Sequence, residues 1–166
     1  MTRIKEKFTA LESQNQKALI AYIMVGFPNE KATISTVRGL VKGGVDIIEL
    51  GFPFSDPLAD GPVIQNASTI SLQKGANIAK FFSLVKKIRK ETDVPIVLMT
   101  YTNILYNKGY AKFIAEATKV GIDGFILPDM SIEESKDYLL AAKSKADTIF
   151  LISPNTSKTR IQKISK

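Results

Sequence analysis

The sequence predicts an α/β fold in which strands and helices alternate, and three observations lead to this prediction. Five short apolar runs are typical of strands that are buried on both faces of a parallel sheet. Stretches with apolar residues at helical spacing lie between these runs. Successive strands begin about 25 to 28 residues apart, except that an added helix near residues 62–74 separates the second strand from the third. The apolar runs are residues 18–25, 46–51, 94–100, 122–127 and 147–152.

Two architectures share this alternation, an open doubly wound sheet and a closed TIM (β/α)8 barrel. The segment that follows the first strand, Val25-Gly-Phe-Pro-Asn29, has a single glycine and therefore lacks the dinucleotide-binding fingerprint of many doubly wound sheets. This favours the barrel. Because such a barrel typically takes about 250 residues, we expect residues 1–166 to form a single, incomplete barrel domain. It would contain about the first five βα units of a truncated chain.

Periodicity and N-terminal signals predict the helical segments between the strands. Apolar residues at spacings of three and four predict helices after the first strand, before the third and before the fourth. Pro62 directly after Gly61 suits the first turn of the added helix. Ser131 and Glu134 have the spacing of a capping box, and residues 156–166 are expected to form a last, capped helix. The periodic sets are Ile34, Val37, Leu40 and Val41, then Ile78, Phe81, Phe82, Val85 and Ile88, then Tyr110, Phe113, Ile114 and Ala117.

Composition restricts the chemistry that the chain can perform. The absence of Cys and His excludes disulfides, thiolate nucleophiles, imidazole bases and metal sites that use those side chains, so acid–base work falls to Asp, Glu, Tyr or Lys. The net charge is +7, but the lysines are scattered, and we expect no nucleic-acid binding. No apolar run approaches the roughly 20 residues of a membrane span. We therefore expect a cytoplasmic protein without a membrane partner, with the plastid stroma as the alternative.

Glu49 is the strongest candidate for acid–base chemistry. Strand alternation in residues 46–51 places Ile47, Glu49 and Gly51 on one side, so that Glu49 points into the barrel while the apolar residues between them face the helices. Active sites of such barrels lie at the carboxyl ends of the strands, and burial there raises the pKa of a carboxyl group. The alternative is a structural Glu49 that is paired with a Lys or Arg in the barrel interior.

Four further polar residues are expected near the same end of the barrel. Asp60 lies in the long loop after the second strand and is a second catalytic candidate, although an acidic residue before Gly61-Pro62 could instead favour the helix N-terminus. Tyr22, Thr100 and Asp129 lie in or just after the first, third and fourth strands and are candidate substrate contacts. Tyr22 could instead serve core packing, the more usual role of a buried aromatic, and Asp129 could be a turn residue.

The segment Glu49-Leu-Gly-Phe-Pro-Phe-Ser-Asp-Pro-Leu-Ala-Asp-Gly-Pro-Val-Ile-Gln65 closely resembles the signature of the tryptophan synthase alpha chain family. Three other segments support the resemblance, and it extends over essentially all 166 residues. These segments are residues 25–29, 100–109 and 120–129.

The resemblance implies a carbon–carbon lyase of L-tryptophan biosynthesis. Members of this family cleave indole-3-glycerol phosphate to indole and glyceraldehyde 3-phosphate by a retro-aldol reaction. The family's catalytic Glu corresponds to Glu49, which exchanges protons with the indole ring carbon and the side-chain hydroxyl. Its second carboxylate corresponds to Asp60, which accepts a hydrogen bond from the indole N–H.

The resemblance also implies a partner. The family's alpha chains need no cofactor and join pyridoxal-phosphate-dependent beta chains in an alpha2beta2 tetramer. The family's phosphate-binding residues follow the seventh and eighth strands, which lie beyond this chain. Two alternatives remain open, an inactive barrel fragment that only presents residues 53–60 to a beta chain and a stand-alone indole-3-glycerol-phosphate lyase.

Overall fold

The computed structural model describes residues 2–165, which form one parallel sheet with helices between its strands. The strands lie side by side in chain order, from β1 to β5, and every neighbouring pair is parallel. This is the arrangement of the first five units of a (β/α)8 barrel, and all five strands fall inside the predicted apolar runs. They are β1 (Ile20–Met24), β2 (Ile47–Gly51), β3 (Ile96–Met99), β4 (Gly124–Ile126) and β5 (Asp147–Ile149).

Eight helices accompany the strands within residues 2–165, and two of them, α3 and α4, lie in succession between β2 and β3. None of these helices is long and apolar enough to cross a membrane. The helices are α1 (Arg3–Ser13), α2 (Glu30–Lys42), α3 (Pro62–Gln73), α4 (Ile78–Arg89), α5 (Thr102–Lys108), α6 (Tyr110–Val120), α7 (Lys136–Ala142) and α8 (Lys158–Ile164).

The two faces of the sheet bury different sets of side chains. Ile48 and Leu50 are fully buried on the outer face, where they pack against the helices in the larger core cluster. Ile47 belongs to a smaller cluster on the inner face. The alternation predicted for β2 is therefore confirmed. Each such aliphatic side chain contributes about 1.5–3 kcal/mol relative to an exposed one.

Helix α1 covers the amino-terminal end of the inner face. Ile4 packs there in the inner cluster, and polar contacts fix the helix to residues at the starts of the strands. The Arg3 guanidinium donates to Asp123 at 2.8 Å, and the Thr2 hydroxyl donates to Asp147 at 2.5 Å. The opposite, carboxyl-terminal end of the inner face is left for the loops that follow the strands.

Three helical elements differ from the sequence-based expectation. Helices α1 and α5 were not predicted, because α1 buries only Ile4 and Leu11 and α5 has only 7 residues. The predicted helix start at Ser131 was wrong. The Ser131 hydroxyl does donate to Glu134 at 2.6 Å, but the contact closes a turn, and α7 begins later, after Ser135.

Candidate active site

The candidate site lies on the inner face and extends from the middle of β1 and β2 to the carboxyl-terminal end of β2. Tyr22 and Glu49 are register partners in these two parallel strands, so their side chains leave the sheet side by side. Gly51 ends β2 on the same face as Glu49. A tyrosine hydroxyl, a carboxyl group and a glycine without a side chain thus occupy one corner of the sheet.

Glu49 is half-buried, and this burial raises the pKa of its carboxyl group. Within residues 2–165, no Lys or Arg lies within ion-pair distance of Glu49. The interpretation of Glu49 as a structural ion-pair partner is therefore not supported. A carboxyl group with a raised pKa can donate and accept a proton nearer to neutral pH than an ordinary one.

The loop of residues 52–61, which carries Asp60, is fastened at two points. The hydroxyl of Ser68, in α3, accepts a hydrogen bond from the Phe54 N–H at 2.9 Å and donates one to the Phe54 carbonyl at 2.8 Å. The Tyr101 hydroxyl accepts a hydrogen bond from the Ala59 N–H at 2.9 Å. The Tyr101 ring also stacks on Phe54, with centroids 5.0 Å apart. These contacts hold the residue that precedes Asp60.

Asp60 is partly buried, and desolvation raises the pKa of its carboxyl group, whereas the Tyr101 hydroxyl lowers this pKa. The N-cap of α3 is Gly61, and no side chain caps this helix by a hydrogen bond. Asp60 therefore does not cap α3 by a hydrogen bond, which was the alternative to a catalytic role. The carboxyl group instead influences the pKa of the Tyr22 hydroxyl and is itself influenced by Tyr101.

Tyr22 completes the group. Burial raises the pKa of its hydroxyl, and the nearby carboxylates of Asp60 and Glu49 raise it further, with Tyr101 making a smaller contribution. The structure thus pairs Tyr22 with Glu49 in the sheet, and the Tyr101 hydroxyl holds the residue next to Asp60 at the same edge.

The two remaining candidate residues have different surroundings. Thr100 is 1% exposed, and its hydroxyl oxygen has no hydrogen-bond partner among residues 2–165. The Asp129 carboxylate accepts hydrogen bonds from the Thr102 N–H at 2.9 and 3.1 Å and from the Thr102 hydroxyl at 2.9 Å. Asp129 therefore fixes the first turn of α5, and a substrate contact at either position stays a prediction.

Tyr101 is the site residue that sequence reasoning missed. The apolar run ends at Thr100, which was therefore the predicted contact, and Tyr101 is the next residue at the same edge of the sheet. Its contact with Ala59 spans 42 positions and leaves no local pattern. An aromatic hydroxyl directly after a strand that neighbours β2 was the available signal.

A metal site was also sought in the acidic side chains. Residues 2–165 contain no cluster of three or more of them that could hold a metal ion.

Comparison with known proteins gives a consistent result. The family model described as tryptophan synthase alpha chain matches residues 8–166. The tryptophan synthase alpha chain of Methanosarcina mazei is 45% identical over 98% of this chain, and that of Solibacter usitatus is 43% identical over 100% of it. These alignments cover 59% and 62% of the two relatives, so the chain spans about three fifths of the length of the curated relatives it matches.

Solved structures agree with the sequence comparison. The tryptophan synthase alpha subunit of Legionella pneumophila superposes with a TM-score of 0.94 at 37% identity, over 99% of this chain and 63% of that one. A chain of tryptophan synthase from M. tuberculosis, in an aminoacrylate-bound form, superposes with a TM-score of 0.91 at 31% identity, over 97% of this chain and 66% of that one.

Proposed function

The chain belongs to the tryptophan synthase alpha chain family, and from this premise we propose that it serves the retro-aldol cleavage of indole-3-glycerol phosphate. The products are indole and glyceraldehyde 3-phosphate. The observation that carries the proposal is the pairing of Tyr22 with Glu49 on the inner face, together with the loop after β2 that carries Asp60 and is held by the Tyr101 hydroxyl. Two carboxyl groups with raised pKa values in one partly buried corner match the acid–base demand of this reaction.

Glu49 is proposed as the group that moves protons. As an acid it protonates the indole ring carbon that carries the glycerol chain, which leaves positive charge on the ring nitrogen. As a carboxylate it then takes the proton of the adjacent side-chain hydroxyl. The carbon–carbon bond breaks, its electrons return to the ring, and the hydroxyl carbon becomes the aldehyde of glyceraldehyde 3-phosphate. The raised pKa supports this double role, because proton transfer is most efficient when the group titrates near the working pH.

Asp60 is proposed as the acceptor for the indole N–H. A carboxylate in a partly desolvated corner stabilises positive charge on the ring nitrogen more strongly than water does. The fastening of Ala59 to Tyr101 supports this role, since a preorganised acceptor loses little free energy to reorientation during the reaction.

Tyr22, Thr100 and Asp129 are proposed as substrate contacts. The position of Tyr22 beside both carboxyl groups supports a place along the substrate. The buried Thr100 hydroxyl lacks a protein partner among residues 2–165, so a ligand that reached it would satisfy a polar group that is otherwise costly to bury. Asp129 is the weakest of the three, because its carboxylate already accepts from Thr102.

The experiment that tests the reaction is an assay of both products. A version of the protein with the full length of its relatives is incubated with indole-3-glycerol phosphate, and indole and glyceraldehyde 3-phosphate are measured separately. We expect the two products in equal amounts. Indole without the triose phosphate, or neither product, would contradict the proposal.

A second candidate function is that of a subunit module that binds a beta chain through residues 53–60. The observation that favours it is Leu58, which is 94% exposed on this loop. Val63, which follows this loop in the first turn of α3, is 78% exposed as well, and exposed apolar side chains that lie together mark surfaces that a partner covers. The proposed assembly is an alpha2beta2 tetramer in which the beta chain holds pyridoxal phosphate.

Replacement of Leu58 by Ser separates this role from catalysis. We expect Leu58→Ser to weaken copurification with a beta chain while indole release by the isolated protein is unchanged. Leu140 is 72% exposed on α7, far from this loop in the chain, so Leu140→Ser is the matched control. Equal copurification of both variants would contradict binding through residues 53–60, and a wild type with which no beta chain copurifies would argue for a stand-alone lyase.

A further inference from the structure

Gly51 stands in closer contact with Tyr22 than any residue with a side chain could. A β-carbon on residue 51 would lie 2.1 Å from the Tyr22 hydroxyl oxygen, 2.6 Å from Cζ and 2.8 Å from Cε2. Non-bonded carbon atoms rest about 3.5–4.0 Å apart. The far end of the tyrosine ring therefore occupies the space that a side chain at position 51 would fill.

The register of the two strands explains how the ring reaches this place. Tyr22 is paired with Glu49, whereas Gly51 is paired with Met24, two positions nearer the carboxyl end. The Tyr22 ring thus leans along the sheet from the level of Glu49 to the level of Gly51. Side chains on strands commonly lean in this way, and a diagonal neighbour two residues on lies within reach of an aromatic ring.

Backbone conformation does not account for the glycine. Gly51 lies within regular parallel strand pairing, and it is not among the glycines whose φ is positive. Gly26 is different, because it combines a φ of +83° with its own close contact to Ser71. At position 51 any residue could adopt the backbone, so the contact with Tyr22 is the feature that requires glycine.

We propose that Gly51 is a positioning residue for the substrate site: its missing side chain lets the Tyr22 ring lie across the end of β2, beside Glu49 and Asp60. The inference rests on the proposed function, since it assigns Tyr22 a place along the indole substrate. The proposal implies that a side chain at position 51 and a long side chain at position 22 exclude each other, because both would occupy the same space. A residue with a β-carbon at 51 fits when the side chain at 22 is too short to cross β2.

A set of paired substitutions tests this interchange in a version with the full length of the relatives. Gly51→Ala is made alone, with Tyr22→Phe and with Tyr22→Leu. Phenylalanine keeps the ring atoms that stand 2.6 and 2.8 Å from the new β-carbon, whereas leucine has no atoms so far from the backbone. Gly39→Ala in α2 is the control, because a β-carbon there has nothing within 4 Å.

The readout is affinity for a non-cleavable indole-alkyl phosphate, measured by calorimetry. We expect Gly51→Ala to weaken binding about tenfold, within the range of coupling between residues in contact. It should weaken binding similarly in the Tyr22→Phe background and add nothing in the Tyr22→Leu background. Gly39→Ala should bind like the wild type. Wild-type affinity in Gly51→Ala, or an equal further loss in the Tyr22→Leu background, would overturn the proposal.

Folding provides a second readout that does not depend on the ligand. Gly51→Ala should lower the urea midpoint of unfolding in the wild-type and Tyr22→Phe backgrounds and leave it unchanged beside Tyr22→Leu. If Gly51→Ala alone fails to fold, recovery by Tyr22→Leu supports the contact, and failure in both backgrounds overturns it. A wild type that does not bind the indole phosphate would overturn the proposed function. The unfolding midpoints would then decide separately whether the Tyr22 ring requires glycine at position 51.

Discussion

Burial of the Glu49 carboxyl raises its pKa, and the same burial costs folding stability whenever the carboxyl is ionised. The folded state holds the proton more tightly than the unfolded state does. The associated stability is therefore fully present below the ordinary pKa of 4.5 and is lost as the pH rises through the higher pKa of the folded protein. At neutral pH the protein carries this cost in exchange for a usable acid–base group.

A substitution that removes the ionisation should remove the cost. We predict that Glu49→Gln has a higher free energy of unfolding than the wild type at pH 7, and that the difference shrinks as the pH is lowered to about 4, near the ordinary glutamate pKa. Urea unfolding at both pH values measures this. Glu12 is exposed in α1, so Glu12→Gln should show no such gain. A Glu49→Gln variant that is less stable at pH 7 would mean that the carboxylate is satisfied by a contact.

Tyr101 makes two separable contacts, one through its ring and one through its hydroxyl. Tyr101→Phe keeps the stacking on Phe54 but removes the acceptor of the Ala59 N–H. We predict a loss of about 0.5–1.5 kcal/mol in stability, the usual net value of one hydrogen bond. We also predict a fall of roughly tenfold in kcat/KM for indole release, because the loop no longer holds Asp60 in place.

Steady-state kinetics and urea unfolding check both parts of this prediction. Tyr106→Phe is the control, because Tyr106 is 70% exposed on α5. If Tyr101→Phe lost stability but kept the wild-type kcat/KM, the hydroxyl would be structural only.

At this scale, sequence reasoning reached Glu49 but not Tyr101. The orientation of Glu49 follows from the two-residue period of a strand whose flanking positions are Ile48 and Leu50, so a local pattern determines it. The contact between Tyr101 and Ala59 joins two loops across 42 positions. No periodicity encodes such a contact, and only the folded sheet brings the two loops to one edge.

Among the elements, strands were predictable and short or polar helices were not. Strands β1 to β5 are apolar runs buried by helices on one face, and such runs stand out in any sequence. Helix α1 buries only two residues, and tertiary contacts hold it in place. Helix α5 depends on Asp129, which lies 27 positions from the Thr102 that it holds. Both helices are stabilised by partners distant in sequence.

Asp123 is the main polar connection between elements on the amino-terminal side of the sheet. Its side chain is 6% exposed and accepts from Arg89 at 2.9 Å, from Arg3 at 2.8 Å and from the Ile96 N–H at 2.8 Å. Arg89 in turn donates to the carbonyls of Thr92, Val94 and Gly121. One carboxylate thereby joins α1, α4 and the starts of β3 and β4.

Removal of this charge should be severe. We predict that Asp123→Asn destabilises the protein by about 3–5 kcal/mol, because it leaves the Arg89 guanidinium largely buried without its counter-charge. The comparison is Glu91→Gln, which breaks the exposed ion pair with Arg38 and should have little effect. Thermal or urea unfolding measures both. Equal effects of the two substitutions would show that the Asp123 cluster is no more than a surface contact.

Over the whole molecule, the described strands leave β1 and β5 with one neighbour each. The fold class followed from the sequence because repeated βα units have a visible rhythm, whereas the closure of a barrel depends on strands that these residues do not supply. Apolar side chains in and just after the two outer strands are correspondingly open, including Ile20 in β1 at 48% exposure and Ile152, three residues after β5, at 53%. We propose that residues 1–166 form one domain with the segments that the relatives carry beyond this region.

The location of the phosphate site tests that proposal. Barrels of this kind hold phosphate with backbone N–H groups that follow the last two strands. We predict that residues 1–166 alone bind indole-3-glycerol phosphate far more weakly than a version with the full length of the relatives. Calorimetric titration of both measures the affinities, and sedimentation of both reports whether the open strands lead to association. Equal affinities would place the phosphate site within the first 166 residues.

The most direct test of the proposed function is the rate of indole release by Glu49→Gln, in a version with the full length of the relatives. The amide keeps the shape of the side chain but cannot exchange protons, so the expected loss is about 10²- to 10⁴-fold in kcat. Circular dichroism and affinity for a non-cleavable indole-alkyl phosphate should stay close to those of the wild type. A folded Glu49→Gln variant that kept more than about a tenth of the wild-type rate would contradict the assignment of Glu49 as the acid–base group.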